Sequence, residues 1–183
     1  MTHPELVVLL DEQANEIGTA PKATVHDTNT PLHLAFSCHA FNEQNELLLT
    51  RRALSKKTWP GVWTNSFCGH PAPGEDRQAA VRRRGRHELG MEIVELTLAL
   101  PHFRYRAVDA SGTVENEVCP VYRATVTGDP SPRPDEVAEW AWVSPGALQR
   151  ATAAAPFAFS PWLVEQVPLL WTDNPTAPDR ALA

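Results

Sequence analysis

Gly69-His-Pro-Ala-Pro-Gly-Glu-Asp-Arg-Gln-Ala-Ala-Val-Arg-Arg-Arg-Gly-Arg-His-Glu-Leu-Gly-Met91 carries the clearest structural signal in the chain. It predicts a helix over Glu75–Leu89. Acids Glu75 and Asp76 stand at its start, where helix N–H groups favour negative charge. Arg82, Arg83, Arg84 and Arg86 crowd its end, and Gly90 is placed to stop it in a left-handed cap.

Outward from this helix the signals change to strands. Leu6–Leu10, Leu34–Phe41, Glu46–Arg51 and Phe103–Val108 are apolar or alternating runs of strand length. Asp109-Ala-Ser-Gly112 reads as a hairpin turn leading into one long strand from about Thr113 to Val126. Ser144-Pro145 and Ser160-Pro161 each offer an N-cap residue with proline at the first helical position. Strands outnumber helices, so the expected class is α/β in the α+β sense: a mixed β-sheet sandwiched between α-helices. A length of 183 residues, 43% hydrophobic, suits a single domain spanning residues 1–183. The proline-rich end from about Asn174 is expected to be frayed.

Composition excludes several classes. A formal charge of −6 argues against a nucleic-acid binder. No apolar run approaches the roughly 20 residues that span a bilayer. No basic segment precedes Leu6–Leu10, so a signal peptide is not expected. The cysteines Cys38, Cys68 and Cys119 are odd in number and sparse, which suits free thiols in a reducing cytoplasm.

Four constellations could carry chemistry. Trp59-Pro-Gly-Val-Trp-Thr-Asn-Ser-Phe-Cys68-Gly-His70 places a thiol and an imidazole two residues apart, on one side of an extended segment. Taken alone this is a buried cysteine beside a surface histidine. Its tryptophans and glycines also suit the wall of an apolar pocket. In Val114-Glu-Asn-Glu-Val118, Glu115 and Glu117 share a strand face. They form either a solvated face or a carboxylate pair that binds a metal, with one member also acting as acid or base. His26 and His33 cannot aim at one point from a straight strand, but Pro31 between them permits a loop. With His70 and the two acids they would form a mixed N/O set for Zn²⁺, Mn²⁺ or Fe²⁺. Arg51-Arg-Ala-Leu-Ser-Lys56-Lys57, with Lys22 and the helix arginines, is a solvated loop or an anion site of the kind a diphosphate needs.

Gly69 to Met91 also resembles the Nudix pattern G-x5-E-x7-R-E-U-x-E-E-x-G-U, where U is bulky and apolar. Gly69, Glu75, Arg83, Glu88, Gly90 and Met91 match. Arg84, Gly85 and His87 depart, and two of the pattern's four glutamates are lost. The chain further resembles type I isopentenyl-diphosphate Δ-isomerases, enzymes of Nudix fold, from about Lys22 to Trp162. The likeness rests on Leu32-His-Leu-Ala-Phe-Ser37, Thr50-Arg-Arg-Ala-Leu-Ser-Lys-Lys57, Trp59-Pro-Gly-Val-Trp-Thr-Asn-Ser66 and Cys68-Gly-His-Pro71. Phe103-Arg-Tyr-Arg106, Glu115-Asn-Glu-Val-Cys-Pro120 and Phe159-Ser-Pro-Trp162 complete it.

That resemblance implies catalysis by Cys68 and Glu117, and the chemistry of such a reaction adds Tyr105 as a relay to Glu117 and Trp162 to shield a tertiary carbocation. It implies a Zn²⁺ or Mn²⁺ on His26, His33, His70, Glu115 and Glu117. It also implies a Mg²⁺ at Glu88, and a diphosphate held by Lys22, Arg52, Lys56 and Arg84. The expected partner is the small molecule isopentenyl or dimethylallyl diphosphate, with no nucleic acid and no membrane, and the protein a cytoplasmic monomer or homodimer. A Nudix-type diphosphohydrolase is the alternative, and the missing glutamates count against it.

Overall fold

The structure, a computed structural model, describes residues 5–171, so the expected fraying from Asn174 lies outside the described residues. The chain opens with β1 (Leu6–Leu10), β2 (Glu16–Pro21) and the short α1 (Lys22–Val25). Then come β3 (His33–Leu34), β4 (Phe36–Phe41), β5 (Leu47–Arg52), β6 (Trp63–Thr64) and β7 (Phe67–Gly69). Helix α2 (Arg77–Leu89) precedes β8 (Ile93–Leu100), β9 (Arg104–Val108), β10 (Val114–Val118) and β11 (Val121–Val126). Strand β12 (Val137–Val143), α3 (Pro145–Ala154) and α4 (Pro161–Leu170) complete the described chain.

The strands form two mixed sheets. One runs β2-β1-β3-β10-β9, the other β12-β5-β4-β11-β8 with β6 on β5 and β7 on β4. β3 and β10 pair in parallel, and so do their continuations β4 and β11. These two strands therefore leave one sheet and enter the other side by side. The crossing falls at Ala35 on one strand and Cys119-Pro120 on the other. Ala35 N–H donates to the Val118 carbonyl and Ser37 N–H to that of Pro120, so the pairing survives the passage. Proline has no N–H to give the ladder. For that reason the single strand expected from Thr113 to Val126 is two, and Leu34–Phe41 divides likewise at Ala35.

The seven-stranded sheet is covered on both faces, as expected. Alternation along β5 decides what packs where: Leu48 joins Phe36, Phe67, Val81 and Leu89 beneath α2, whereas Leu47 and Leu49 face Leu148 of α3 and Leu163 of α4. Helix α2 starts two residues later than expected. Asp76 is its N-cap, accepting from Ala79 N–H at 2.9 Å, while Glu75 lies outside and holds Arg83 and the Ala72 N–H. Gly90 caps the other end at φ 65°. Gly69 lets α2 approach β7, since a Cβ there would meet the Arg84 side chain of α2 at 3.0 Å as well as the Phe36 ring of β4 at 2.8 Å. Ser144 caps α3, but the Ser160 side chain makes no cap bond and instead meets the Thr64 hydroxyl at 2.8 Å. Among the described residues no helix is long and apolar enough to cross a membrane.

His39 of β4 is fully buried against Gln166 of α4, its Nε2 2.8 Å from Oε1. Burial lowers its pKa to about 4, against an ordinary value of 6.5. Between those two values the unfolded chain binds a proton that the folded chain refuses. Stability should therefore fall with pH across that window, by up to about 1.4 kcal/mol per unit from this residue. His39→Gln should flatten the slope between pH 6.5 and 4 in urea unfolding, whatever its cost at neutral pH. An unchanged slope would mean that His39 is not held neutral.

Candidate active site

Register across three strands builds the centre of the site. Glu117 of β10 lies beside His33 of β3 on one side and Tyr105 of β9 on the other. His70 enters from the end of β7, and His26 caps α1. Glu117 is 4% exposed, and Glu115 is also buried, so the solvated face left open by the sequence is not what forms. Glu117 Oε1 is 3.4 Å from His33 Nε2 and 3.2 Å from His70 Nε2, while the Tyr105 hydroxyl donates to Oε2 at 3.0 Å. Ligand atoms of His26, His33, His70 and Glu117 all lie within 4.8 Å of one another. Glu115 completes the group, 3.3 Å from His26 Nε2, and accepts from the Thr58 hydroxyl at 2.8 Å.

The donor set fits a divalent transition metal. His33 Nδ1 donates to the Pro31 carbonyl at 2.9 Å, which leaves Nε2 with a lone pair aimed inward. The buried Nε2 atoms of His26 and His33 have no hydrogen-bond partner. Lone pairs facing a carboxylate are unfavourable unless a proton or a cation stands between them. Burial opposes charge at Glu117, but His33 and His70 outweigh it and hold the carboxyl well below its usual range. His33 is correspondingly raised against its own burial, whereas burial keeps His70 lowered.

This cluster floors one end of a cavity of about 560 Å³. Cys68, Tyr105 and Trp162 line its apolar wall. The Trp162 ring meets Trp59 edge-on at 5.3 Å and Tyr105 at 5.5 Å. Burial pushes the Cys68 thiol up to about 12. Cys119 is fully buried outside the lining, its sulfur 3.6 Å from Ser37 Oγ.

The opposite wall is cationic. Lys22, Arg52, Lys56 and Arg84 line it, whereas Arg51, next along β5, turns away to Glu139. Arg52 is fastened to Thr58 and stands with its guanidinium carbon 5.6 Å from the Trp162 ring centre. Arg84 pairs with Glu88 at 2.9 Å and with Glu136 at 2.7 Å; Glu136 also binds Lys56. Burial raises the Glu88 carboxyl, with Arg84 opposing. All thirteen sequence-predicted site residues fall in or against this one cavity, with Glu88 behind Arg84 and His33 behind Glu117. Two others escaped the sequence reading. Thr58, which ties Arg52 to Glu115, and Glu136, which bridges Lys56 and Arg84, belong to no spacing pattern; the run Pro130–Glu136 carried only a loop signal.

A mixed sheet with Gly69 at the end of β7, Glu75 just ahead of α2 and Arg83 and Glu88 on α2 defines a Nudix-domain protein, and residues 31–163 match the NUDIX domain family model. The chain belongs to that family and, within it, to the isopentenyl-diphosphate Δ-isomerases. It is 60% identical over 172 residues to the protein of that name from Clavibacter michiganensis, covering 94% of this chain and 89% of that one. The Agromyces mediolanus protein of the same name is 63% identical over 91% of this chain and 81% of its own length. The Leifsonia xyli protein is 58% identical over 100% of both. Among solved structures, a Deinococcus radiodurans protein superposes with a TM-score of 0.70 at 24% identity, over 91% of this chain and 99% of that one, which is a likeness of fold alone.

The metal geometry has a direct consequence. Purified protein should retain about one transition-metal ion per chain, as the mixed donor set demands. His70→Asn should release it and lower the melting temperature. Elemental analysis with thermal melts checks this, and a metal-free protein whose melting is indifferent to added Zn²⁺ or Mn²⁺ would contradict it.

Proposed function

We propose that this isomerase interconverts isopentenyl and dimethylallyl diphosphate by adding a proton at one carbon and removing one at another. The observation that carries the reading is the pairing, within one cavity, of an apolar wall bearing a thiol with a cationic wall. A hydrolase would need the second wall and has no use for the first. The Nudix positions that would crowd metal ions onto a diphosphate are changed as well. Arg84 replaces one glutamate and neutralises Glu88, and His87 replaces another and points to solvent.

The residues divide the work by charge and polarity. Lys22, Arg52, Lys56 and Arg84 bind the diphosphate, and Glu88 with diphosphate oxygens would hold a Mg²⁺. His26, His33, His70, Glu115 and Glu117 would hold Zn²⁺ or Mn²⁺, which would fix the Glu117 carboxylate and tune its proton affinity. The five-carbon group then lies along Cys68, Tyr105 and Trp162. Cys68 is a neutral thiol, raised by burial, and so stands as the proton donor at rest. Glu117 is ionised and stands as the acceptor, with the Tyr105 hydroxyl on its second oxygen as a relay. Protonation of the alkene leaves a tertiary carbocation, and removal of a proton from the neighbouring carbon restores the double bond. Trp162 and Trp59 keep water from that cation, and an indole face attracts a desolvated cation by about 2 kcal/mol or more. A reducing cytoplasm would keep Cys68 available.

Incubation with isopentenyl diphosphate in D₂O should place deuterium on carbon and yield dimethylallyl diphosphate with its diphosphate intact, read by proton and phosphorus NMR. Inorganic phosphate released without carbon-bound deuterium would install the hydrolase instead.

The cysteines provide a second check. Cys68→Ala should abolish turnover while folding and diphosphate binding survive. Cys119→Ala should remain active, with at most a modest loss of stability from a small buried cavity. The reverse pattern would move the acid to Cys119.

A further inference from the structure

Behind the cavity wall lies a residue that the reaction as described does not use. Asn65 is fully buried and does not line the cavity. Its Nδ2 donates to the carbonyls of Cys38 at 3.0 Å and Phe67 at 2.8 Å. Turning the amide over would set an oxygen against two carbonyl oxygens, so its orientation is chemically forced. The oxygen that this orientation presents collects three donors: the Thr64 hydroxyl at 2.9 Å, the Trp162 indole N–H at 2.9 Å and the Cys68 thiol at 3.4 Å. An amide oxygen has two lone pairs, and the thiol, the weakest of the three donors, makes the longest contact.

A second buried contact holds the same sulfur. Ser37 Oγ lies 3.4 Å from Cys68 Sγ and itself accepts from Gln166 Nε2 at 2.9 Å. The sulfur is therefore held between two side chains, each anchored elsewhere in the seven-stranded sheet or on α4. Among the described residues, the Asn65 oxygen is the one hydrogen-bond acceptor shared by the thiol and the indole.

We propose that Asn65 is a positioning residue for the isomerisation: one amide oxygen, fixed from behind by two main-chain carbonyls, sets the Cys68 sulfur and the Trp162 ring relative to each other. The inference rests on the isomerase reading of the cavity. A proton must reach one carbon while an aromatic face lies over the cation that forms, and both groups must keep that separation without help from the substrate. Sub-ångström control of this kind comes from packed, doubly anchored hydrogen bonds and acts on the chemical step. The hydrogen bonds of Asn65 go to none of Lys22, Arg52, Lys56 or Arg84, so diphosphate binding has no reason to depend on it.

The test compares Asn65→Ala and Asn65→Ser, each alone and combined with Trp162→Phe. Three quantities are read: kcat, KM for isopentenyl diphosphate, and the indole ¹H–¹⁵N resonance of Trp162, assigned by its disappearance in Trp162→Phe. Asn65→Ala should lower kcat about 30-fold while KM stays within about twofold, and Asn65→Ser, which keeps an acceptor oxygen, should lose less. The indole resonance should shift in Asn65→Ala. With Trp162→Phe already present, the Asn65 substitution should cost only about fivefold, because part of what it held is gone. If Asn65→Ala does not fold, Asn65→Ser carries the same comparison. Unchanged kcat, a KM that rises in proportion to the loss, an unmoved indole resonance or fully additive losses would each overturn the inference. A wild-type chain that converts no isopentenyl diphosphate would instead overturn the functional reading and this inference with it.

Discussion

Glu117 is a carboxylate almost wholly removed from water, and the site is organised around meeting that cost. An isolated buried charge is expensive, and removing a partner from one leaves it uncompensated. Two imidazoles and a phenol surround its oxygens: three strands must hold register to bring His33 and Tyr105 there, and His70 enters from the end of β7. A slip of one residue between β3 and β10 would turn His33 to the other face and take one partner from the acid. The parallel pair therefore has to be continuous where it crosses between sheets, and its pairing survives at Ala35 and Pro120. Fold and site share one constraint.

The cavity above that acid is divided by polarity. Cations and their carboxylate partners occupy one wall, while thiol, phenol and indole occupy the other. Glu136 holds Lys56 and Arg84 by ion pairs within the protein, so the positive wall is ordered by a carboxylate of the chain itself. Thr58 connects that wall to Glu115 through hydroxyl bonds in both directions. Rearrangement at either end would be felt at the other, because the linking groups are buried and have no water to substitute for a lost bond.

The α2 helix illustrates how one scaffold changes its chemistry. Gly69, Glu75, Arg83 and Gly90 keep structural duties: close approach to Phe36, a Glu75–Arg83 pair and a left-handed cap. The positions facing the cavity carry the difference. Arg84 now supplies a positive charge where the pattern has an acid, and Glu88 is neutralised by it one turn later. A helix whose pattern could gather several cations thereby becomes part of a cationic wall.

The sequence by itself determined what depends on neighbours a few residues apart. The span of α2 was legible to within two residues from its acids, arginines and Gly90, and so were the Ser144 cap and the pairing of faces in Glu115-Asn-Glu117. The order of several motifs also sufficed to indicate the family, and the residues those motifs named lie in or against one cavity. Tertiary structure alone decided where those residues meet. Periodicity carries no information on contacts such as Asn65 with Trp162, 97 positions apart, or Lys56 with Glu136, 80 apart. It could not reveal that the apparent strand from Thr113 to Val126 serves two sheets, since Pro120 breaks a ladder only when a partner strand is present. Nor could it tell a solvated acidic face from a buried one. Burial is a property of what packs on top, and here that was three histidines and a tyrosine brought in from other strands and loops.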